Sequence, residues 1–379
     1  MVRVDVAIIG GGPAGSAAAI ALARAGRRVT VLERSHYHRP RIGEILPPTV
    51  RLPLCALGAW DRFREEGFSR SPGIVSVWGT ARPYTNDFVA NPYGAGWHVD
   101  RCRFDRMLAG TAAAAGAAVY PGARLMGCRE VLDGWQLEAI VGDESLCIHA
   151  DFVVDATGRS SRIARRSGVG RVGHDRLVGV VGVLDSPAAE SVRDRRTLIE
   201  SCPDGWWYSA MLPGRRCVAA YLSDADQIAA TRLQPLDLWR ERRRCAPYTD
   251  RRLGSFDGDG DVRVIAASAS TLRRITGDRW VAVGDAATAF DPLSGQGVTC
   301  ALDSGLAAGR ALTALGGDRG AALADYAAAA QRRFRDHLRR RADYYGRETR
   351  WPDSAFWARR RIGHRQEVPS PPKSGRELE

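Results

Sequence analysis

The sequence predicts an α/β fold: a Rossmann-like dinucleotide-binding domain, an inserted and mainly antiparallel β-sheet domain, and a C-terminal helical segment. Three observations carry that expectation. A glycine fingerprint, Gly10-Gly11-Gly12-Pro13-Ala14-Gly15, sits between an apolar strand and an alanine-rich helix. Several stretches between Val178 and Leu222 alternate with the two-residue period of half-buried strands. Farther on, an apolar strand from Trp280 to Val283 breaks into a glycine-rich turn and resumes as a helix from Val298 to Leu315.

Composition sets the frame. A chain of 379 residues can bury a large core and divide into two domains. Its 45% hydrophobic and 26% charged residues are ordinary for a soluble globular protein. No apolar run reaches the roughly eighteen residues of a membrane span. Met1-Val2-Arg3 leads straight into a strand, so no signal peptide is expected and the location expected is cytoplasmic. The 8 cysteines form no C-x-x-C pair and the 7 histidines no ligand cluster with them, which implies reduced thiols and no metal. Net charge is +12, with Lys373 the single lysine among 55 Lys+Arg, a preference that fits GC-rich coding. Such a surface attracts an acidic peptide, a carrier protein or a phosphorylated cofactor. No nucleic-acid-binding motif accompanies the charge, so no nucleic-acid partner is expected.

Val4 to Ile9 reads as a buried strand, the fingerprint follows, a helix runs to about Ala25, and Arg28 to Glu33 is the second strand. Gly10, Gly12 and Gly15 fit G-x-G-x-x-G, which allows a tight turn, close approach of a pyrophosphate and close helix–strand packing. The pyrophosphate then rests on the helix N-terminus and Glu33 takes the ribose hydroxyls. A second match, Gly168 to Gly173, follows a basic segment rather than a strand, and reads as a loop. With one nucleotide fold, a nicotinamide cofactor would bind only in passing.

Arg39 to Pro48 is a turn-rich connection in which Glu44 either faces the cofactor or caps the next helix. Residues 74 to 97 carry alternating aromatics and suggest strands of a second layer. His98 to Asp105 opens a helix over Arg106 to Ala115, where Arg101 suits a phosphate or pairs with Asp105. Val119, Arg124 to Val131, Trp135 to Val141 and Cys147 to His149 read as a small meander feeding an apolar strand that ends at Asp155-Ala156-Thr157-Gly158. Val178 to Leu184, Arg196 to Glu200, Trp206 to Leu212 and Arg216 to Leu222 form the antiparallel sheet, a floor for a substrate pocket. On it Trp206 and Tyr208 face one way and Trp207 the other, and we place Trp206 and Tyr208 at the pocket. Pro235 to Cys245 is helical, Val262 to Ala267 returns to the nucleotide side, and Ala321 to Tyr345 is a long helix with a solvated basic face.

The turn Val283 to Gly297 holds two acids, a proline and three glycines. A helix start leaves about four backbone N–H groups without partners, and the helix dipole adds positive charge there. Asp285 thus offers a carboxylate to a hydroxyl, and the turn offers N–H donors to an electron-rich ring edge, which together read as a flavin seat.

The Gly10–Gly15 fingerprint, the Asp155–Gly158 strand end and the Gly284-Asp285 turn occur in the order seen in FAD-dependent monooxygenases of the aromatic-hydroxylase type, and the chain resembles them over nearly its whole length. Halogenases and geranylgeranyl reductases share that fold. The tryptophan-rich strand Asp204 to Pro213 resembles the halogenase-like branch. Tyr344-Tyr345, Glu348, Arg350-Trp351-Pro352 and Phe356-Trp357 resemble flavoproteins that mature tryptophylquinone-dependent amino-acid oxidases by oxygenating a peptide-bound tryptophan. The resemblance implies FAD held by Gly10, Gly12, Pro13, Ala14, Gly15, Glu33, Arg34, Arg41, Arg101, Asp155, Gly158, Gly284, Asp285, Pro292, Gly295, Gln296 and Gly297. It implies a Rossmann-like FAD-binding domain over 1–73, 99–165 and 273–318, a substrate domain over 74–98 and 166–272, a helical segment over 319–368 and a disordered tail over 369–379.

The activity so implied is hydroxylation of an electron-rich arene, the indole of a tryptophan in a peptide or protein, through a flavin C4a-hydroperoxide. O2 is the co-substrate, and NAD(P)H or reduced flavin from a partner reductase supplies electrons. Glu44, His98 and Asp291 are the candidates for any catalytic acid or base, with packing beside Trp97 and capping of the Pro292 turn as the plain roles of the last two. A reductase or dehydrogenase of a small molecule or prenyl lipid, and a non-enzymatic maturation partner, are the alternatives. Halogenases need an active-site lysine, and Lys373 lies six residues from the end.

Overall fold

The computed structural model describes residues 1–185, 194–254, 262–314 and 319–367, with side chains in the last helix described to Arg361. Two seven-stranded sheets organise it. In the first, Val2–Ile9 pairs in parallel with Val29–Glu33 on one side and with Glu144–Asp155 on the other. Ala118–Pro121 and Trp280–Ala282 extend this parallel array outward. Val29–Glu33 and the second half of Val2–Ile9 are buried, with the helix Pro13–Arg24 packed against them.

The meander and the strand after it, expected as separate pieces, share one twelve-residue strand, Glu144–Asp155. Its first half pairs antiparallel with Gly134–Val141, and its second half pairs in parallel with Val2–Ile9 and Trp280–Ala282. This strand places Asp155, Gly10 and the 283–297 turn at one end of the sheet.

The second sheet runs in the order Arg263–Ala266, Leu177–Asp185, Arg216–Asp224, Gly205–Leu212, Thr197–Cys202, Gly73–Val77, Tyr84–Asp87, antiparallel except where Thr197–Cys202 meets Gly73–Val77. Arg263–Ala266 is thus an edge strand of this sheet, not a return to the nucleotide side. The Gly168–Gly173 segment is not all loop: Arg171–Gly173 forms a short strand with Ser270–Leu272.

The sheet's two faces bury different cores. Trp207, Tyr221 and Val180 pack on Leu238, Trp239 and Leu253 of the helices behind it. Trp206, Tyr208, Val181 and Leu222 pack on the other face with Trp78, Tyr345, Phe356 and Trp357. Alternation of side chains along a strand produces this division. The C-terminal helices Arg319–Gly346 and Ala355–Glu367 therefore form a lid over the Trp206 face. Segment 369–379, expected as a tail, lies outside the described residues, as does Lys373. No described helix is long and apolar enough to cross a membrane.

Candidate functional site

The two glycine-rich turns meet at the start of the helix Pro13–Arg24. A Cβ on Gly10, whose φ is +108°, would fall 2.2 Å from the Ala156 carbonyl oxygen, and one on Gly15 would fall 1.9 Å from that of Gly10. These two positions tolerate no side chain. Gly284 (φ +56°) presses on the same helix: a Cβ there would sit 2.7 Å from the Ala14 Cβ. Gly12 is different, since the nearest atom to its added Cβ is Nη1 of Arg41 at 3.9 Å. The helix beginning at Pro13 has no side-chain cap, so its first amides keep their donors for another molecule.

Glu33, at the end of its strand, accepts from the Gly11 amide (2.7 Å), from the Ser35 hydroxyl (2.7 Å) and from Arg41 Nη2 (2.8 Å). Burial opposes its charge, but the Ser35 hydrogen bond, the Arg41 charge and the Gly11 amide outweigh it and hold the carboxyl below its ordinary value. Arg41 also reaches buried Asp105 at 2.8 Å. Arg101 opens its helix at residue 101 rather than 106, because Asp100 caps the Cys102 and Arg103 amides. It pairs with Asp105 (3.1 Å) and donates to the Ile42 carbonyl (2.6 Å), fastening the strap Arg41–Glu44. Arg34 is exposed. Asp155 accepts from Thr157 and from the Ile163 and Ala164 amides, so its carboxylate is engaged as the cap of a short helix. Gly158 (φ +65°) has open space beside it.

Asp285 keeps its carboxylate 39% exposed, with Arg159 Nε at 3.5 Å. Arg171 braces this turn from behind, donating to the Asp285 and Ala286 carbonyls and to Ser161 Oγ. Burial, with Arg159 and Arg165 nearby, pulls Arg171 down to about 10. Arg171 carries no motif signal, because it lies inside the Gly168–Gly173 segment that reads as a loop.

At the far end of the turn, Asp291 is caged. Its Oδ1 accepts the Leu293 amide (2.9 Å), and its Oδ2 accepts Arg341 Nε (2.8 Å) and the Tyr345 hydroxyl (3.1 Å). Arg341 also holds Asp175 at 2.8 Å. Pro292 and Gln296 are exposed, Gly295 (φ +60°) and Gly297 have nothing within 4 Å of an added Cβ, and the helix from Gly297 starts uncapped. The open flank of Gly12, the partly exposed Asp285 carboxylate and the uncapped helix at Gly297 fit a long dinucleotide whose ring edge ends at the last of these.

The remaining candidates are buried. Glu44 is 2% exposed and accepts from the Gly43 amide (2.7 Å) and the Tyr208 hydroxyl (3.0 Å). Burial raises its carboxyl above the ordinary value of 4.5. Below that value folded and unfolded chains both carry the proton. As pH rises from 4.5 through the folded value the unfolded chain loses it first, so stability falls across that window. In Glu44→Gln this decline is expected to be shallower by the Glu44 share, which urea midpoints of both proteins measured at steps above pH 4.5 will check.

His98 is fully buried. Its Nδ1–H donates to the Met211 carbonyl (2.9 Å) and its Nε2 accepts from the Thr197 hydroxyl (3.0 Å), so neither ring nitrogen is left for a substrate. Burial pulls it down to about 4. Trp206 is 1% exposed, packed against Trp78 and donating Nε1–H to the Tyr345 hydroxyl at 2.9 Å. Tyr208 is 8% exposed and its hydroxyl is committed to Glu44. The lid formed by the C-terminal helices is what buries Trp206.

Residues 3–342 match the family described as FAD binding domain. LodB of Marinomonas mediterranea, whose assigned name is that of an FAD-dependent oxidoreductase, is 31% identical over 366 residues, covering 95% of this chain and 97% of LodB. The crystal structure of CmlS, a flavin-dependent halogenase, superposes with a TM-score of 0.84 at 29% identity, over 96% of this chain and 68% of that one. The structure of QhpG, a peptidyl tryptophan dihydroxylase essential for tryptophylquinone cofactor biogenesis, gives 0.75 at 25% identity, over 95% and 79%.

Proposed function

Because the chain belongs to the FAD-binding-domain family and is an FAD-dependent oxidoreductase, we propose that it is a monooxygenase hydroxylating an electron-rich arene, the indole of a tryptophan within a peptide. One observation carries this reading. Ile42 of the strap, Ile45 just after it and Leu293 of the turn by the expected ring edge pack on the same face of the second sheet as Trp206, Tyr208, Val181 and Leu222. An aromatic substrate held against the partly buried Ile42, Ile45 and Leu293 would sit beside the ring edge and away from water, as attack on an activated oxygen requires. The likeness to QhpG favours a peptide-borne indole over a free one.

The Gly10–Gly15 turn, Asp285 and the amides after Pro292 would hold FAD, which, reduced by NAD(P)H or a partner flavin reductase, would supply the activation of O2. The chain's own residues do the rest. Amides at the start of the helix from Gly297 place partial positive charge where charge builds on the ring. Glu44 and Tyr208 hold and exchange the one proton an arene hydroxylation must move, because Glu44 carries a raised carboxyl against the phenol. Asp291 and His98 position their neighbours. Halogenation, favoured by the likeness to CmlS, is opposed by the absence of lysine from residues 1 to 372.

The test is to incubate the protein with FAD, a flavin reductase, NADH, air and a tryptophan-bearing peptide. A mass gain of one or two oxygen atoms on the indole supports the proposal. Chloride-dependent substitution, or reduction of a lipid without oxygen uptake, overturns it.

The two sheet faces give a second check. Trp207 Nε1 has no partner and its ring packs on Trp239 at 5.2 Å. Trp207→Phe is expected to lower stability by about 1–3 kcal/mol with turnover unchanged. Trp206→Phe strips the N–H from Tyr345, which in turn holds Asp291, so its turnover is expected to fall severalfold. Chemical unfolding and kcat read side by side on both variants will show it, and unchanged turnover in both counts against the assignment.

A further inference from the structure

The face of the sheet behind the strap carries a continuous file of oxidisable rings. Tyr208 lies 6.5 Å from Trp206, and Trp206 lies 6.1 Å from Trp78, centroid to centroid. Tyr345 joins the file through the Trp206 hydrogen bond and stands 5.6 Å from Trp78 and 5.9 Å from Trp357. Trp78 and Trp357 are 5.3 Å apart, and Trp357 stacks on Trp351 at 5.8 Å with planes only 22° apart. Trp351 is partly exposed.

The two phenols at the inner end each have a carboxylate waiting. Tyr208 O–H donates to Glu44, and Tyr345 O–H donates to Asp291, the residue that caps the turn beside the expected ring edge. A phenol that can pass its proton along such a bond loses an electron without building charge in a low-dielectric core. The guanidinium groups over Trp351 and Tyr345 are ion-paired, Arg350 with Glu348, Arg341 with Asp291 and Arg360 with Asp224, so no lone cation opposes an oxidised ring. Packing alone requires aromatic bulk; it requires neither carboxylates on both phenols nor a stacked ring at the surface.

We propose that Tyr208, Trp206, Tyr345, Trp78, Trp357 and Trp351 form a conduit that carries single oxidising equivalents from the turn at Pro292 to the protein surface. It rests on oxygen being activated at that turn. When turnover proceeds without substrate, an oxygen-derived one-electron oxidant takes an electron from Tyr345 or Tyr208 and is reduced. The phenol O–H breaks and its proton moves to Asp291 or Glu44. An electron from the next indole and the returning proton restore the phenol, and the vacancy steps outward to Trp351. There a thiol in solution supplies the electron, loses its proton and pairs with a second thiyl as a disulfide; without thiol, Trp351 is itself oxygenated.

The FAD-loaded protein is cycled with reductase and air, without substrate and with catalase and superoxide dismutase present, and its oxidised residues are mapped by peptide mass spectrometry. Trp60 and Trp97, also partly exposed but outside the file, serve as internal controls. Oxidation of Trp351 is expected to exceed theirs severalfold and to be suppressed by dithiothreitol. In Trp357→Phe it is expected to drop to the control level while Trp206 and Trp78 gain oxygen. Should that variant not fold, the wild-type ratio and its thiol dependence decide. Oxygen uptake with no excess at Trp351, or an excess that survives Trp357→Phe, overturns the conduit alone. No oxygen uptake at all overturns the monooxygenase reading and the conduit with it.

Discussion

Gly305→Val is expected to yield a protein that no longer retains FAD. Gly305 lies in the middle of the helix Gly297–Leu312, where it faces the helix Pro13–Arg24. A Cβ there would fall 2.0 Å from the Ala14 carbonyl oxygen and 3.0 Å from the Ala17 Cβ. The first of these is backbone and cannot swing away, so the helices must part. Overpacking of this kind costs about 1–3 kcal/mol and occasionally more; the backbone clash puts this case at the upper end. Ala14 belongs to the glycine fingerprint, and Gly284 presses on the same residue. Separating the helices therefore pulls the Gly10–Gly15 turn away from the Gly284-Asp285 turn, and one dinucleotide cannot span both. The checks are the flavin absorbance carried through gel filtration and the urea midpoint by circular dichroism. Gly110→Ala is the control: Gly110 is also mid-helix, but nothing lies within 4 Å of its added Cβ. It is expected to gain up to about 1 kcal/mol, the helix-propensity difference.

What could be read from the chain beforehand follows from how far each signal reaches along it. The fingerprint was legible because strand, glycines, helix and acid lie within 33 residues, and each imposes its own steric demand. The strands of the second sheet are legible from their β-branched and aromatic content rather than from a polar face, because both faces are covered and Gly205–Leu212 and Arg216–Asp224 are buried almost throughout. Glu144–Asp155 reads as two pieces because polar His149 and Asp151 interrupt an apolar pattern that the first half, paired antiparallel, does not need. The start of the helix at Arg101 is masked in the sequence because its cap, Asp100, sits inside a run of charges. Long-range pairings were not legible at all. The acid at 291 reads as a turn cap, which it is, but its ties to Arg341 and Tyr345 join residues about 50 apart with no periodic trace. The burial of Trp206 under the C-terminal lid is hidden for the same reason, since strand alternation says which way the ring points and not what will cover it.

That long-range tie is the basis of the second large effect. Arg341→Met is expected to destabilise the protein by about 3–5 kcal/mol, the usual cost of removing one partner from a buried charge pair. Arg341 is 13% exposed and stands between two carboxylates, Asp291 at 1% and Asp175 at 9%. Methionine fills much of the volume but leaves both acids without their cation. Burial already holds the Asp175 carboxyl above its ordinary value of 3.8, and Asp291 nearby adds to the effect. Without Arg341 the folded chain binds that proton more tightly still. A carboxyl raised in the folded state costs nothing below its unfolded value and costs progressively more as pH climbs through the folded one. The deficit of Arg341→Met is therefore expected to be smallest in acid and to widen toward neutrality, which paired urea titrations across that range will measure. Adding Asp175→Asn should recover part of it, because one of the two stranded charges is then gone. A deficit independent of pH would mean that Arg341 acts by packing on Tyr345, where its guanidinium lies 5.2 Å from the ring centroid, and not by charge. The same substitution reaches the cofactor turn. Asp291 accepts the Leu293 amide with one oxygen and Arg341 with the other, so losing the arginine frees the carboxylate to rotate toward water and uncaps Pro292–Ser294. Weaker FAD retention at the pH where the stability deficit is largest would tie the two effects to one ion pair.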